Sequence, residues 1–197
     1  IITQLYNCVE LYLLMVACQK AGIIPAIVTP KFREASLEPI LKHIKAKGAV
    51  IPCKFREHDF YCMYTTLRAQ LPGLQQIVVV GDEVPNGAIS FKDLTTTPIS
   101  DNEIQDLGKY GIQPYEVSSI GTTGGSTGIP KLNEVVEASR MVGSRNLIDR
   151  WEINESDTVG AFYHLTGGTL TRLALRVVPM VGARLVLSEH FSPKSWC

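Results

Sequence analysis

Between residues 1 and 81 the chain alternates four short apolar segments with three stretches of helical length, and this alternation restricts the fold more than any other feature. Ile1-Ile2-Thr3-Gln4-Leu5, Ile23-Ile24-Pro25-Ala26-Ile27-Val28, Ala49-Val50-Ile51 and Gln76-Ile77-Val78-Val79-Val80-Gly81 read as strands, the last the clearest because it is rich in β-branched residues. Residues 7–21 read as a helix that Asn7 can cap and Gly22 can stop; it is apolar over nearly its whole circumference, which implies burial on several sides. Residues 38–47 are amphipathic, with Ile40, Leu41 and Ile44 on one face and Lys42, Lys45 and Lys47 on a solvated one, before Gly48 ends the helix. Residues 60–71 read as a third helix, stopped by Pro72-Gly73. Continuously apolar strands need cover on both faces. The order β-α-β-α-β-α-β therefore predicts an α/β fold, with a parallel sheet flanked by helices and joined by right-handed crossovers.

Residues 81–114 break the pattern: Pro85, Gly87, Pro98 and three consecutive threonines at 95–97 separate short helical pieces. This segment reads as a connector closing a first α/β lobe over residues 1–111, and residues 115–197 read as the start of a second. There a strand over 115–120, a glycine-rich loop over 121–131, a helix over 135–148, a strand over 158–162, a helix over 169–180 and a strand over 183–187 are expected. The sequence opens without methionine directly on an apolar run and closes just after a β-rich one, so the chain reads as a fragment cut at both ends. With 19 basic and 19 acidic residues it carries no basic field of the kind that drives binding to nucleic acid or an acidic membrane. The longest apolar run, residues 11–18, is far short of the about 20 residues that span a bilayer. Five cysteines, odd in number and without a C-x-x-C pair, indicate reduced thiols in a cytoplasmic protein and no metal site.

The chemistry is concentrated in Thr122-Thr123-Gly124-Gly125-Ser126-Thr127-Gly128-Ile129-Pro130-Lys131, directly after a predicted strand. Four hydroxyls, three glycines and one lysine suit a polyphosphate: glycines let backbone N–H groups approach, hydroxyls donate to phosphate oxygens, and the lysine neutralises charge. The G-K-S/T ending of the P-loop NTPases is absent, since Pro130 precedes the lysine and Leu132 follows it. Residues 124–128 also fit the G-x-S-x-G elbow of a serine hydrolase with Ser126 as nucleophile, and Asp157 and His190 follow in hydrolase order. An elbow needs a strand immediately before its serine and a helix immediately after. Residues 121–125 separate the two on one side and Ile129-Pro130 disfavours helix on the other, so the phosphate loop is the better reading. A third class is a non-catalytic nucleotide-binding module. His43 and His58 lie among charged residues and are expected to face solvent, and Asp157 beside Ser156 reads most simply as turn chemistry.

The loop resembles, at every position, the phosphate-binding signature of the AMP-forming acyl-adenylating enzymes: two hydroxyl residues, glycine, a small residue, a hydroxyl residue, then T-G-x-P-K. Upstream, Phe32-Arg33-Glu34-Ala35-Ser36-Leu37, Leu41-Lys42-His43, Val50-Ile51-Pro52, Phe55-Arg56, Asp59-Phe60 and Leu71-Pro72-Gly73-Leu74 look like the ligases of cyclic and aromatic acids. Phe162-Tyr163-His164-Leu165-Thr166-Gly167 is similar to the family's H-x-x-G segment. The resemblance implies activation of a small cyclic or aromatic carboxylic acid by MgATP to an acyl-adenylate and pyrophosphate, then transfer to coenzyme A or to a carrier-protein thiol. Thr122, Thr123, Gly124, Gly125, Ser126, Thr127, Gly128 and Lys131 would hold the ATP phosphates, Lys131 would also be catalytic, and His164 and Gly167 would line the acyl pocket. It also allows a homodimer. Where the family follows the loop with glycine and then a T-H pair, this chain has Leu132 and then Val136-Glu137. The family's later Y-G-x-T-E segment, ribose-binding aspartate and C-terminal adenylation lysine have no counterpart here, so the chain by itself is expected to be inactive.

Overall fold

A computed structural model describes residues 1–123, 130–166 and 168–189. Strand β1 (Ile2–Thr3) leads through α1 (Val9–Ala21) to β2 (Ala26–Ile27), and through α2 (Glu34–Ile44) to β3 (Gly48–Pro52). A small hairpin of β4 (Lys54–Phe55) and β5 (His58–Asp59) precedes α3 (Phe60–Gln70) and β6 (Gln76–Val80). The connector contributes β7 (Ile89–Ser90), α4 (Phe91–Thr96) and α5 (Asp101–Leu107). Then come β8 (Val117–Thr123), β9 (Lys131–Val136), α6 (Glu137–Trp151) and β10 (Thr158–Ala161). Helix α7 (Gly168–Arg172) runs through a π-helical turn (Leu173–Val177) into α8 (Val178–Val181), before β11 (Arg184–Leu187). No helix among the described residues is long and apolar enough to cross a membrane.

Seven strands form one sheet in the order β7-β6-β3-β1-β2-β8-β9. Every neighbouring pair is parallel except β8 and β9. Side chains alternate between two cores, as the pleat requires. Ile2, Val28, Ala49, Ile51, Ile77 and Val79 meet α2 and α3 through Leu37, Ile40, Phe60, Tyr64 and Leu67. Ile27, Val50 and Val80 face the other way, toward Leu11 and Met15 of α1, Phe91, Ala161, Leu165 and Leu175. This is the α/β architecture that the apolar strands predict, with helices on both faces. Strands β10 and β11 make a separate parallel pair.

Four local expectations change. Residues 131–136, read as the end of a loop and the start of a helix, form β9; its polar, mostly exposed sequence is that of a sheet edge, and only Val135 is buried. The loop over 121–131 is correspondingly shorter, because β8 continues to Thr123 and β9 begins at Lys131. Helix α2 begins at Glu34, a turn before residue 38, with Pro39 inside it. Helix α1 buries Leu11, Met15 and Cys18 but leaves Val9 and Leu13 exposed, so its apolar circumference is covered on one side. Its stop at Gly22 is as expected, and the residue is obligatory: φ is +68° and a Cβ would lie 2.2 Å from the Tyr110 carbonyl oxygen.

Candidate functional site

Strand β1 lies between β2 and β3, and the chain leaves it in opposite directions, first to β2 and then across to β3 and β6. Such a switch point opens a crevice at the carboxyl ends of parallel strands, where ligands bind in this class of sheet. Two features sit on that edge: the hairpin that follows β8 and a basic cavity formed by the segments after β2, β3 and β10.

The hairpin pairs Thr122 with Leu132 and Thr123 with Lys131. Thr123 Oγ1 donates to the Lys131 carbonyl at 3.4 Å, and both residues are exposed. The register therefore brings two threonines and the lysine together at the facing ends of β8 and β9. A cavity of about 460 Å³ beside Lys131 is walled by Pro39, Ile40 and His43 of α2, and His43 is exposed as expected. Gly124, Gly125, Ser126, Thr127 and Gly128 lie outside the described residues, as do Gly167 and His190. Of the hydrolase constellation only Asp157 is described: its Oδ2 accepts from the Asn154 N–H at 2.8 Å and its own N–H donates back to the Asn154 carbonyl, a turn before β10.

His164 lines the second feature, a cavity of about 490 Å³ that also contains Lys31, Arg33, Arg56, Glu57 and His58. Three cations face one carboxylate there, over an aromatic floor. Phe55 stacks on Tyr6 with centroids 4.5 Å apart, Arg56 lies over the Phe55 ring at 5.4 Å and Arg33 over the Phe60 ring at 5.7 Å. Arg33 Nη1 also donates to the carbonyls of Pro30 and Phe32, both at 2.8 Å, so its charge is fixed in place. Burial, and then the charges of Lys31 and Arg56, hold the His164 imidazole below its ordinary pKa. His58, expected to face solvent, is half-buried: it stands edge-on to Phe60 at 4.7 Å, where burial and Arg33 lower its pKa. The reason is the β4–β5 hairpin, which folds residues 55–58 back over the crevice.

Two buried amides hold this geometry. Gln4 Nε2 donates to the carbonyls of Thr29 at 2.9 Å and Phe32 at 3.0 Å, pinning the segment that carries Lys31. Asn7, expected to cap α1, leaves that role to Cys8, which makes no side-chain cap bond. Its Nδ2 donates instead to the carbonyls of Ala161, Tyr163 and Ser188, and its Oδ1 accepts from the Leu165 N–H, so it clamps the His164 segment from both sides. The signal for both was weak but present: a polar amide inside or beside a run of apolar residues must find partners when the strand is buried. Further along the sheet, Glu137, which replaces the histidine of the family's T-H pair, receives Arg176 Nε at 2.6 Å and Nη2 at 2.9 Å.

A parallel sheet of this order, switched at its centre and bringing Thr122, Thr123 and Lys131 together on its carboxyl edge, defines an α/β protein of the AMP-forming ligase fold. The chain belongs to the AMP-binding enzyme family, whose profile matches residues 1–197. It is 26% identical over 135 residues to the 2-hydroxy-7-methoxy-5-methyl-1-naphthoate–CoA ligase of Streptomyces carzinostaticus, a match covering 67% of this chain and 24% of that protein. It is also 26% identical over 193 residues to the medium-chain fatty-acid–CoA ligase of Escherichia coli, covering 96% of this chain and 33% of the relative. The chain thus spans between about a quarter and a third of these relatives. The crystal structure of the anthranilate CoA ligase AuaEII with anthranoyl-AMP superposes with a TM-score of 0.80 at 21% identity, over 96% of this chain and 35% of that one, a likeness of fold.

Proposed function

We propose that this chain is the phosphate-gripping part of an acid–thiol ligase, which joins a carboxylate to the α-phosphate of MgATP, releases pyrophosphate, and passes the acyl group to coenzyme A. The observation that carries the reading is the β8–β9 register, which brings Thr122 and Thr123 alongside Leu132 and Lys131, the residues that flank Gly124-Gly125-Ser126-Thr127-Gly128 in sequence. A carboxylate attacking a phosphate meets like charge, so donors at the turn, Lys131 and the magnesium that arrives with the nucleotide would hold and screen the leaving pyrophosphate. The donor set fits that task, since hydroxyls, backbone N–H groups and an ammonium are what phosphate oxygens accept from. His164, and Gly167 beside it in sequence, would border the acid. The cations Lys31, Arg33 and Arg56 favour an acceptor that brings its own phosphates, which is why coenzyme A is preferred over other thiols, with a carrier-protein thiol as the alternative. A compact cyclic or aromatic acid is the proposed substrate; the named relatives include ligases of both a naphthoate and medium-chain fatty acids.

Calorimetric titration of the 197-residue chain with MgATP tests the reading. Binding that Lys131→Ala weakens about ten- to a hundredfold supports it, since a charge-assisted contact contributes about 1.5–3 kcal/mol. Binding indifferent to Lys131, or stoichiometric labelling of Ser126 by a fluorophosphonate, overturns it. The chain alone is expected to form no acyl-adenylate.

A further inference from the structure

Three arginines from two helical segments meet behind β8. Arg140 lies on α6 one turn before Gly143 and on the same face. The guanidinium of Arg172, at the end of α7, packs into the space that Gly143 leaves: an added Cβ there would stand 2.8 Å from its Nη1 and 2.9 Å from its Cζ. Arg176 follows in the π-helical turn. All three border one chamber of about 20 Å³, whose other walls include residues 119–121 of β8, Thr166 and Thr171. A space of that size holds one particle about as large as a water molecule.

Charge around the chamber is not balanced. Arg176 takes both carboxylate oxygens of Glu137, at 2.6 Å and 2.9 Å. The side chains of Arg140 and Arg172 make no hydrogen bond or ion pair among the described residues, and Arg172 Nε is buried without a partner. Burial, then the charges of Arg172 and Arg176, lower the pKa of Arg140, and the opposing influence is the already engaged Glu137. Asp149, which lies with Arg172 on the outer side of α6, forms no ion pair with it. A water in the chamber would supply Arg172 Nε with an acceptor but leave the cations uncompensated. An anion does both.

We propose that the chamber behind β8 is a binding site for one small monovalent anion of the chloride class, held between Arg140 and Arg172. Carboxylates, phosphate and sulfate are too large for it, whereas chloride is only a little larger than water. The bound ion would be the counter-charge that lets α6 and the helical run from α7 close against β8. The site shares no residue with the β8–β9 hairpin ends or the His164 cavity, so it stands or falls apart from the ligase reading.

The chain is melted in sodium chloride and in sodium gluconate at equal ionic strength, and the chlorine NMR line width is followed as bromide is added. Wild type should melt about 3–6 °C higher in chloride, once the ion exceeds its dissociation constant tenfold. Its chloride line should be broadened, and bromide should reverse the broadening by competing for the site. Arg140→Gln and Arg172→Gln should each abolish both effects, yet melt in gluconate no lower than wild type, because each removes an uncompensated cation. Arg150→Gln, on the outer side of α6, should keep both effects. Absence of both effects in wild type overturns the proposal and leaves the chamber to water. Effects that survive in Arg140→Gln and Arg172→Gln overturn it by placing the ion elsewhere.

Discussion

Asn7 Oδ1 accepts a hydrogen bond from the backbone N–H of Leu165 at 3.0 Å, joining positions 158 residues apart. Its Nδ2 donates to three carbonyls at 2.7–3.2 Å, those of Ala161 and Tyr163 before His164 and that of Ser188 just after β11. One amide thus ties the central strand's exit to the loop that walls the basic cavity. Asn7→Ala would orphan that N–H and the carbonyls it serves, at a cost of about 2–4 kcal/mol from several buried groups left without partners. Urea unfolding should record this loss, and amide exchange at Leu165 should accelerate more than exchange in β3; an unchanged midpoint would show that the clamp contributes nothing.

The Glu137–Arg176 pair is held in a place where both side chains are only 12% and 14% exposed. Burial alone would raise the Glu137 carboxyl, but the hydrogen bonds and charge of Arg176, aided by Ser118 and Gln19, bring it below its ordinary 4.5. A carboxylate depressed in the folded state stabilises the fold above its unfolded pKa and ceases to do so as pH falls through the folded value. Glu137→Gln should therefore destabilise the chain by about 2–3 kcal/mol at pH 7. The gap between variant and wild type should close below pH 4.5, and thermal melts across pH 3–7 read both effects.

Tyr64 is fully buried in the core under α3, and among the described residues its hydroxyl has no hydrogen-bond partner. An unpaired buried hydroxyl opposes folding by about 1–3 kcal/mol. Tyr64→Phe keeps the ring and removes that burden, so its urea midpoint should equal or exceed that of the wild type. A clear loss of stability would mean that the hydroxyl is satisfied.

His164 gives the basic cavity a pH response. Its pKa is depressed from 6.5 by burial, then by Lys31 and Arg56, so the folded chain binds a proton less readily than the unfolded one. The resulting stability is complete above pH 6.5 and is lost as pH falls through the folded pKa. His164→Gln should flatten that slope, with His58 supplying what remains of it. A polyanion in the cavity reverses the field at the imidazole, so coenzyme A binding near pH 6 should take up a fraction of a proton. Calorimetry in buffers of different ionisation enthalpy measures it, and no uptake would place the anion elsewhere.

The alternation of apolar strands with helical stretches is a local property, and it was enough to specify a parallel sheet covered on both faces. The period-2 pleat divides Ala49 and Ile51 from Val50 whatever the rest of the chain does. The threonine, glycine and lysine run carries the proposed phosphate chemistry in its residue types alone. Strand β9 was not, since an edge strand buries one residue in six and its sequence carries little hydrophobic period. Nor was the basic cavity: Lys31, Arg56 and His164 come from three loops far apart in the chain, and only the strand order brings them to one edge. Asn7 took four distant backbone partners in place of the adjacent cap, and Glu137 found Arg176 across 39 residues. Local pattern sets which faces are apolar; it carries no term for which distant polar groups will be buried together and must satisfy one another.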